Sequence, residues 1–410
     1  MKVPSFITGT VVLTATVLFL CQGHPHKHNP NLQTLQEVVM LLTNPGFEGR
    51  KAGSRHDSTL AVSIANKMAG YGFTPYFDDG PLHKFSYRNV TSWNVVMIYK
   101  GKATNGTVLL GAHYDHLGMG GPGSGSLRPD TSAIHPGADD NASGVAAAME
   151  TARLLTEAGK QHGLQKDILF AAFGAEEEGT VGSAFLADTL EKAGLLPSLM
   201  INLDMVGRLR DSVLQVSGTG TFDGADSLLR TRLDSTMPLV LKTSASGYGP
   251  SDHSTFYRAE VPVLFFTTGP HTDYHTPFDT PDKINYDGLA QIVRYATSVA
   301  AAVAVEGFEP VYQETYDEQP MPEKVTFKAS LGVIPDFIYE GTGFCVGTVI
   351  KGRPGHKAGM QDGDIVVQIN DRPITTIEEY MEALGELTAG EIVWVTVRRK
   401  NRLLELEVQL

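Results

Sequence analysis

Gly137-Ala138-Asp139-Asp140-Asn141-Ala142-Ser143-Gly144 is the stretch on which the reading of this chain turns. Two adjacent carboxylates stand between a Gly-rich loop and an Ala-rich run of helical character. Neighbouring like charges repel, so stability alone does not favour the pair. Two explanations are open. The acids cap the helix that follows, where Asp is common and the helix dipole welcomes negative charge. Alternatively, a strong positive charge, such as a metal pair, is held there. The rest of the sequence decides between them.

From about residue 30 to 308 the chain alternates strand-like and helix-like runs, the signature of a layered α/β sheet. Candidate strands are 94–99, 108–112, 167–173, 200–204, 213–216 and 263–267; candidate helices are 58–70, 142–158, 182–193, 224–235 and 283–305. Residues 118–137, rich in Gly, Ser and Pro, form a mobile or site-lining loop between strand and helix. Within it, Gly118-Met119-Gly120-Gly121-Pro122-Gly123 matches a dinucleotide fingerprint in form only. It opens no helix, and no acidic residue ends a following strand, so it is set aside.

Five segments place His, Asp or Glu at the end of a strand or just beyond one, where open α/β sheets bind ligands. They are His113-Tyr114-Asp115, Asp139-Asp140, Glu176-Glu177-Glu178, Asp204 after Ile201-Asn202-Leu203, and His275 in Tyr274-His275-Thr276-Pro277. Imidazole with carboxylate oxygen is a zinc-type ligand set, and carboxylates bridge two metals. Positions two apart on a strand face the same way, so His113 and Asp115 point together. The natural arrangement puts His113 on a metal, with Asp115 behind it accepting the other ring proton. Glu176 and Glu177 diverge, so one can bind metal while the other addresses a metal-bound water.

The composition is that of a globular protein, 42% hydrophobic and 19% charged. A net charge of −13 argues against nucleic acid as a partner. The basic run Arg398-Arg399-Lys400-Asn401-Arg402 reads as a solvated hairpin turn between two short strands. Lys2 followed by an apolar stretch from Phe6 to Leu20 is too short for a comfortable membrane span and reads as a secretory signal, residues 1–23. The chain is therefore expected to be exported: periplasmic, secreted, or lipid-anchored if Cys21 is lipidated, the one route to a membrane. The bulky Leu20 before that cysteine weakens the lipid reading. With Cys21 removed or modified, only Cys345 remains and no disulfide framework is possible. His24, His26 and His28 read as an unstructured mature N-terminus. Asn141-Ala142-Ser143 matches a glycosylation triplet, implausible inside the carboxylate cluster.

Together the five site segments resemble the secreted two-zinc aminopeptidases, family twenty-eight of the metallopeptidases. The resemblance spans about residues 45 to 305, from Phe47-Glu48-Gly49-Arg50 to Tyr274-His275-Thr276-Pro277-Phe278-Asp279-Thr280. It implies a zinc exopeptidase fold, a mixed and mostly parallel central sheet flanked by helices. It implies two zinc ions: His113 and Asp204 on one, Glu177 and His275 on the other, with Asp140 bridging. Glu176 is then the general base, Asp115 the partner behind His113, and Tyr248 of Gly247-Tyr248-Gly249-Pro250-Ser251-Asp252-His253 an oxyanion stabiliser. Tyr248 also has a plain reading as a loop-packing aromatic. Asp139 and Glu178 stay unassigned. His116, His135, His253 and His271 read as supporting or loop residues rather than ligands.

After Val305 the composition changes. Residues 309–323 read as an extended linker and 324–410 as a small β-rich domain with one helical run at 377–387. Ser330-Leu331-Gly332-Val333 and the run from Arg353 through Gly363-Asp364-Ile365 resemble the PDZ domains of bacterial secreted proteases. That implies binding of a peptide or protein C-terminus by strand addition; the plain alternative is an appendage for stability or self-association. The function implied is an exported exopeptidase that hydrolyses N-terminal residues of peptide substrates through a zinc-activated water with Glu176 as base. Three alternatives differ in kind: a carboxypeptidase or dipeptidase of the same family, a glutaminyl cyclase-like acyltransferase, and an inactive binding protein guided by the PDZ domain.

Overall fold

The computed structural model describes residues 29–102, 104–128, 131–236, 238–315, 329–336, 339 and 341–410. The candidate signal at 1–23, Cys21, the three N-terminal histidines and linker residues 316–323 lie outside the described residues.

Nine strands form the large sheet: β1 (Thr74–Pro75), β2 (Leu82–Tyr87), β3 (Val90–Tyr99), β4 (Thr107–His113), β5 (Asp167–Phe173), β6 (Leu199–Leu203), β7 (Val213–Ser217), β8 (Val240–Thr243) and β9 (Val263–Thr267). Their order is β1-β3-β5-β4-β6-β9-β7-β8, with β2 also paired to β3. The central strands β5, β4, β6 and β9 run parallel. Strands β3 and β7 flank them antiparallel, so the sheet is mixed with a parallel centre.

The central runs are apolar on both faces because both faces are covered. In β4, Val108, Leu110 and Ala112 enter one core while Leu109 enters the other. In β5, Ile168, Phe170 and Ala172 divide from Leu169, Ala171 and Phe173 in the same way. That period of two is the alternation of side chains along a strand. Helices α1 (Leu32–Leu42), α2 (Asp57–Gly70), α3 (Gly144–His162) and α7 (Tyr286–Ala304) supply the first core. Helices α4 (Val181–Ala193) and α6 (His253–Arg258) supply the second, and the short α5 (Ala225–Thr231) adds Leu228 and Leu229 to the first. Ala146, Ala147 and Ala148 on α3 and Ala300, Ala301 and Ala302 on α7 are small enough for the two helices to pack closely. Leu110 is fully buried, and its truncation to Ala costs about 2–5 kcal/mol.

The chain leaves β4, passes through α3 and returns as β5 on one side, while β6 pairs with β4 on the other. A crevice opens at such a switch, outside the carboxyl end of β4. His113 is the last residue of β4 and Asp140 lies just before α3, so topology alone brings them together.

The first part of the stretch read as a linker lies along the large domain. Gln313 donates to the Thr221 carbonyl at 2.7 Å, and buried Thr315 donates its N–H to the Tyr257 hydroxyl at 2.7 Å. Beyond it, six strands make a second, antiparallel sheet: β10 (Val333–Pro335), β11 (Phe344–Val349), β12 (Ile365–Ile369), β13 (Arg372–Pro373), β14 (Ile392–Arg399) and β15 (Arg402–Gln409). Helices α8 (Pro354–Lys357) and α9 (Ile377–Glu386) accompany them. Its core is separate from that of the large sheet, with Phe344 and Tyr380 stacked at 3.6 Å. The basic run is the β14–β15 turn, with Lys400 and Asn401 at φ 46 and 65. Arg399 is not merely solvated: its guanidinium grips buried Asp364 through two bonds, at 2.6 and 2.7 Å.

Candidate metal centre

His113 is buried and its two nitrogens face opposite ways. Nδ1 lies 3.3 Å from the Asp115 carbonyl and 3.8 Å from its carboxylate. Nε2 faces Asp140 Oδ1 at 3.3 Å, Asp204 Oδ1 at 3.5 Å and Glu176 Oε2 at 3.9 Å. Asp115 does more than stand behind the imidazole. Its carboxylate accepts the backbone N–H of Glu176 at 3.0 Å and of Glu177 at 3.3 Å, fixing the turn after β5.

The Asp139-Asp140 segment begins at Gly137, φ 54, where a Cβ would lie 2.1 Å from the Asp140 carbonyl oxygen. Neither acid caps α3. Asn141 does, its Oδ1 accepting from Gly144 N at 2.9 Å and from Met205 N at 3.2 Å. Asn141 is fully buried, which excludes a glycan there. Ala142 and Ser143 already have helical backbone, and the regular α-helix runs from Gly144. Asp140 instead turns one oxygen to each of two histidines: Oδ1 to His113 and Oδ2 to His275 Nε2, the latter at 3.1 Å.

Glu176 and Glu177 diverge as adjacent residues must. Glu177 Oε2 meets His275 Nε2 at 3.2 Å and Oε1 meets His116 Nδ1 at 2.7 Å. Glu176 lies in the cavity wall beside His113. Asp204 follows β6, its Oδ2 accepting the Ser251 hydroxyl at 2.7 Å. His275, φ 52, directs Nδ1 at the Gly125 carbonyl, 3.1 Å away, which leaves Nε2 for the carboxylates. The loop that bears Gly125 therefore braces His275 from the side away from the carboxylates.

Two groups share Asp140: His113, Asp140 and Asp204 on one side, His116, Asp140 and Glu177 on the other. Their ligand atoms suit a metal ion. No hydrogen bond reaches Asp140 Oδ2 or Asp204 Oδ1, though both are buried acceptors. Buried carboxylate oxygens that lack a hydrogen bond are costly, and a cation is what offsets such a cost. Nitrogen and oxygen donors in this mixture fit zinc. Burial disfavours charge on His113, but Asp204, Glu176 and Asp140 outweigh it and hold the ring well above its ordinary range. His275 is raised in the same way, against burial, by Glu177 and Asp140. Burial pushes Glu176 well up, His113 opposes, and Asp252 and Glu177 add to the rise; that is the direction a proton acceptor working near neutrality needs.

The cavity, about 60 Å³, continues past the charged groups along Met205, Pro250, Phe265, Thr267 and Tyr274. Tyr248 stands behind that wall, edge-on to Tyr257 with centroids 4.8 Å apart; its neighbour Pro250 supplies the lining. Tyr274 stacks on His275 at 3.8 Å.

Several supports were not legible beforehand. Arg50, fully buried, donates to the carbonyls of Tyr114, Pro136, Gly137 and Asp140. Burial lowers its pKa to about 10, against the pull of Asp140 and Asp115. Asp279 accepts the N–H groups of Asp139 and Asp140 at 2.8 and 3.1 Å. His116, read as a supporting residue, sits within the second group; its place one residue after His113-Tyr114-Asp115 was the only signal.

An α/β sheet with a buried imidazole–carboxylate centre at the carboxyl end of its parallel strands defines a class of metal-site protein. The model of Peptidase family M28 matches residues 94–300, half of the chain, and the chain belongs to that family. A PDZ domain matches residues 324–410. Among relatives, the chain is 32% identical to the aminopeptidase YwaD of Bacillus subtilis, over 62% of this chain and 52% of YwaD. It is 29% identical to leucine aminopeptidase 1 of Coccidioides posadasii, over 49% of this chain and 53% of that one. It thus spans about half the length of each aminopeptidase. Among solved structures it is similar to a zinc aminopeptidase from Bacillus subtilis, TM-score 0.55 at 18% identity, covering 70% of this chain and 99% of that one. The Porphyromonas gingivalis glutaminyl cyclase is similar too, TM-score 0.54 at 19% identity, covering 66% of this chain and 98% of that one. At such identities the likeness shows the fold alone.

Proposed function

We propose that this chain is a zinc-dependent aminopeptidase with two metal positions, His113 and Asp204 serving one, Glu177 and His275 the other, and Asp140 shared. The observation that carries the reading is Asp140, whose two oxygens face His113 and His275 at 3.3 and 3.1 Å. When bound, zinc supplies Lewis acidity that polarises the scissile carbonyl and makes water a stronger acid.

The chain's own groups do the rest. Glu176 takes a proton from the attacking water and passes it to the departing amine. Asp115 holds Glu176 and Glu177 through their backbone N–H groups. The carboxylates attract a free α-amine, and Met205, Pro250 and Phe265 shelter an apolar side chain from water. For the developing oxyanion, Tyr248 remains the assigned donor, and Tyr274 in the wall is the competing hydroxyl. Residues 1–23 are proposed as an export signal and the PDZ domain as a holder of peptide C-termini.

The test is one assay of the purified protein on free aminoacyl substrates and their N-blocked counterparts, with and without chelator. Cleavage of free substrates that chelator abolishes and zinc restores is expected. Cleavage of blocked substrates alone contradicts the aminopeptidase reading, and cyclisation of N-terminal glutamine without hydrolysis makes the chain an acyltransferase.

A further inference from the structure

Asp139 has no part in the ligand set, yet its carboxylate is fully buried one residue from the shared Asp140. Its Oδ1 accepts Gly207 N at 2.6 Å and the Ser143 hydroxyl at 2.9 Å. Ser143 Oγ in turn accepts Val206 N at 3.1 Å. Gly207 lies three residues after Asp204 and approaches so closely that a Cβ there would stand 2.8 Å from Asp139 Oδ1. Asp139 Oδ2 faces His271 Nε2 at 3.1 Å. His271 Nδ1 accepts from Asp273 N at 3.3 Å, which leaves Nε2 as the atom turned toward Asp139. His271 lies four residues before His275.

One side chain therefore touches the loop after Asp204 and the loop before His275, while its own backbone leads into Asp140. Both loops contain a non-glycine residue in the left-handed region, Met205 at φ 55 and His275 at φ 52. Such conformations persist only where the surroundings over-determine them. A buried carboxylate must be compensated, and Asp139 Oδ1 finds donors in Gly207 N and the Ser143 hydroxyl while Oδ2 faces the His271 imidazole.

We propose that Asp139 is a positioning residue: it sets the register of the segments bearing Asp140, Asp204 and His275 and so governs how tightly the centre holds zinc. The proposal rests on the metallopeptidase reading above. A merely structural role predicts something else, a weaker fold with unchanged metal affinity.

Asp139→Asn separates the two. The amide keeps the acceptor for Gly207 and Ser143 but removes the charge and replaces the oxygen that faces His271 Nε2 with an NH2. Zinc affinity, measured by competition with a chromophoric chelator, is expected to fall about ten- to hundredfold, the usual effect of altering a ligand's support. The visible spectrum of the cobalt(II)-loaded full-length chain should change, while the circular dichroism and melting of metal-free protein stay near wild type. Ser143→Ala, which removes one donor, should weaken zinc binding in the same direction by less, and it serves if Asp139→Asn fails to fold. Unchanged zinc affinity and cobalt spectrum, with or without lower stability, overturn the proposal. Wild-type protein that takes up no zinc brings down the metallopeptidase reading and this proposal together; normal wild-type uptake with an unchanged variant removes only Asp139.

Discussion

The Asp115 carboxylate accepts the backbone N–H of Glu176 at 3.0 Å, from a position 61 residues earlier in the chain. The same residue faces His113 Nδ1 through both its carbonyl and its carboxylate. The turn that presents the proposed base and the orientation of the first histidine thus depend on one side chain. Asp115→Ala is expected to lower both zinc affinity and kcat/KM by about ten- to hundredfold. Equilibrium dialysis and steady-state kinetics check the pair of effects; loss of one without the other would show that the two roles are separate.

Glu176 Oε2 stands 3.9 Å from His113 Nε2 and lines the cavity. Glu176→Gln should keep its zinc and lose kcat by about 10²–10⁴-fold, the range for removing a general base. Metal analysis and turnover on the same preparation decide it. A variant that retains near-normal turnover removes Glu176 from the role.

Asn141 ties the start of α3 to Met205, the residue after Asp204. Asn141→Ala removes a helix cap and leaves the Met205 N–H unpaired in a buried place. Stability should drop by about 1–3 kcal/mol, the range for a lost cap together with an unmet donor, measured by urea unfolding of metal-free protein.

His253 is fully buried and stacked on Phe265 at 4.4 Å. Burial lowers its pKa to about 3 from the ordinary 6.5. The folded state therefore resists the proton that the unfolded state accepts. Its contribution is whole above about pH 6.5 and is lost as the pH falls from there toward 3, at up to about 1.4 kcal/mol per unit. Denaturant titrations at pH 7, 5.5 and 4.5 should show a steeper acid loss for wild type than for His253→Phe; equal slopes would refute the assignment.

Much of this was legible in the sequence for a physical reason. Strands such as β4 and β5 are apolar on both faces, so their runs stand out, and five ligand-type segments sit at strand ends where α/β sheets place sites. The fold class and the meeting of the five segments follow from that; the choice of Asp140 over Asp139 and of Glu177 over Glu176 came from the family resemblance. What the sequence did not reveal depends on long-range backbone contacts. Arg50 works through four carbonyls, and Asp279 through two N–H groups; both lie in the motifs that bound the family resemblance, but nothing local marks what they hold. Asp139 and Asp140 are drawn away by His271, His113 and His275, which leaves Asn141 to hold the helix. Tyr248 shows the opposite case: the loop that bears it reaches the cavity, but Pro250 supplies the wall while the ring packs on Tyr257.

The central claim is that Asp140 belongs to two metal positions at once. Zinc per chain, measured by elemental analysis after dialysis against dilute zinc, tests it in wild type and in Asp140→Ala. Two zinc ions in wild type, and loss of both in the variant with the fold retained, is the predicted result. A single zinc in wild type, or a variant that still holds its full complement, would contradict the account.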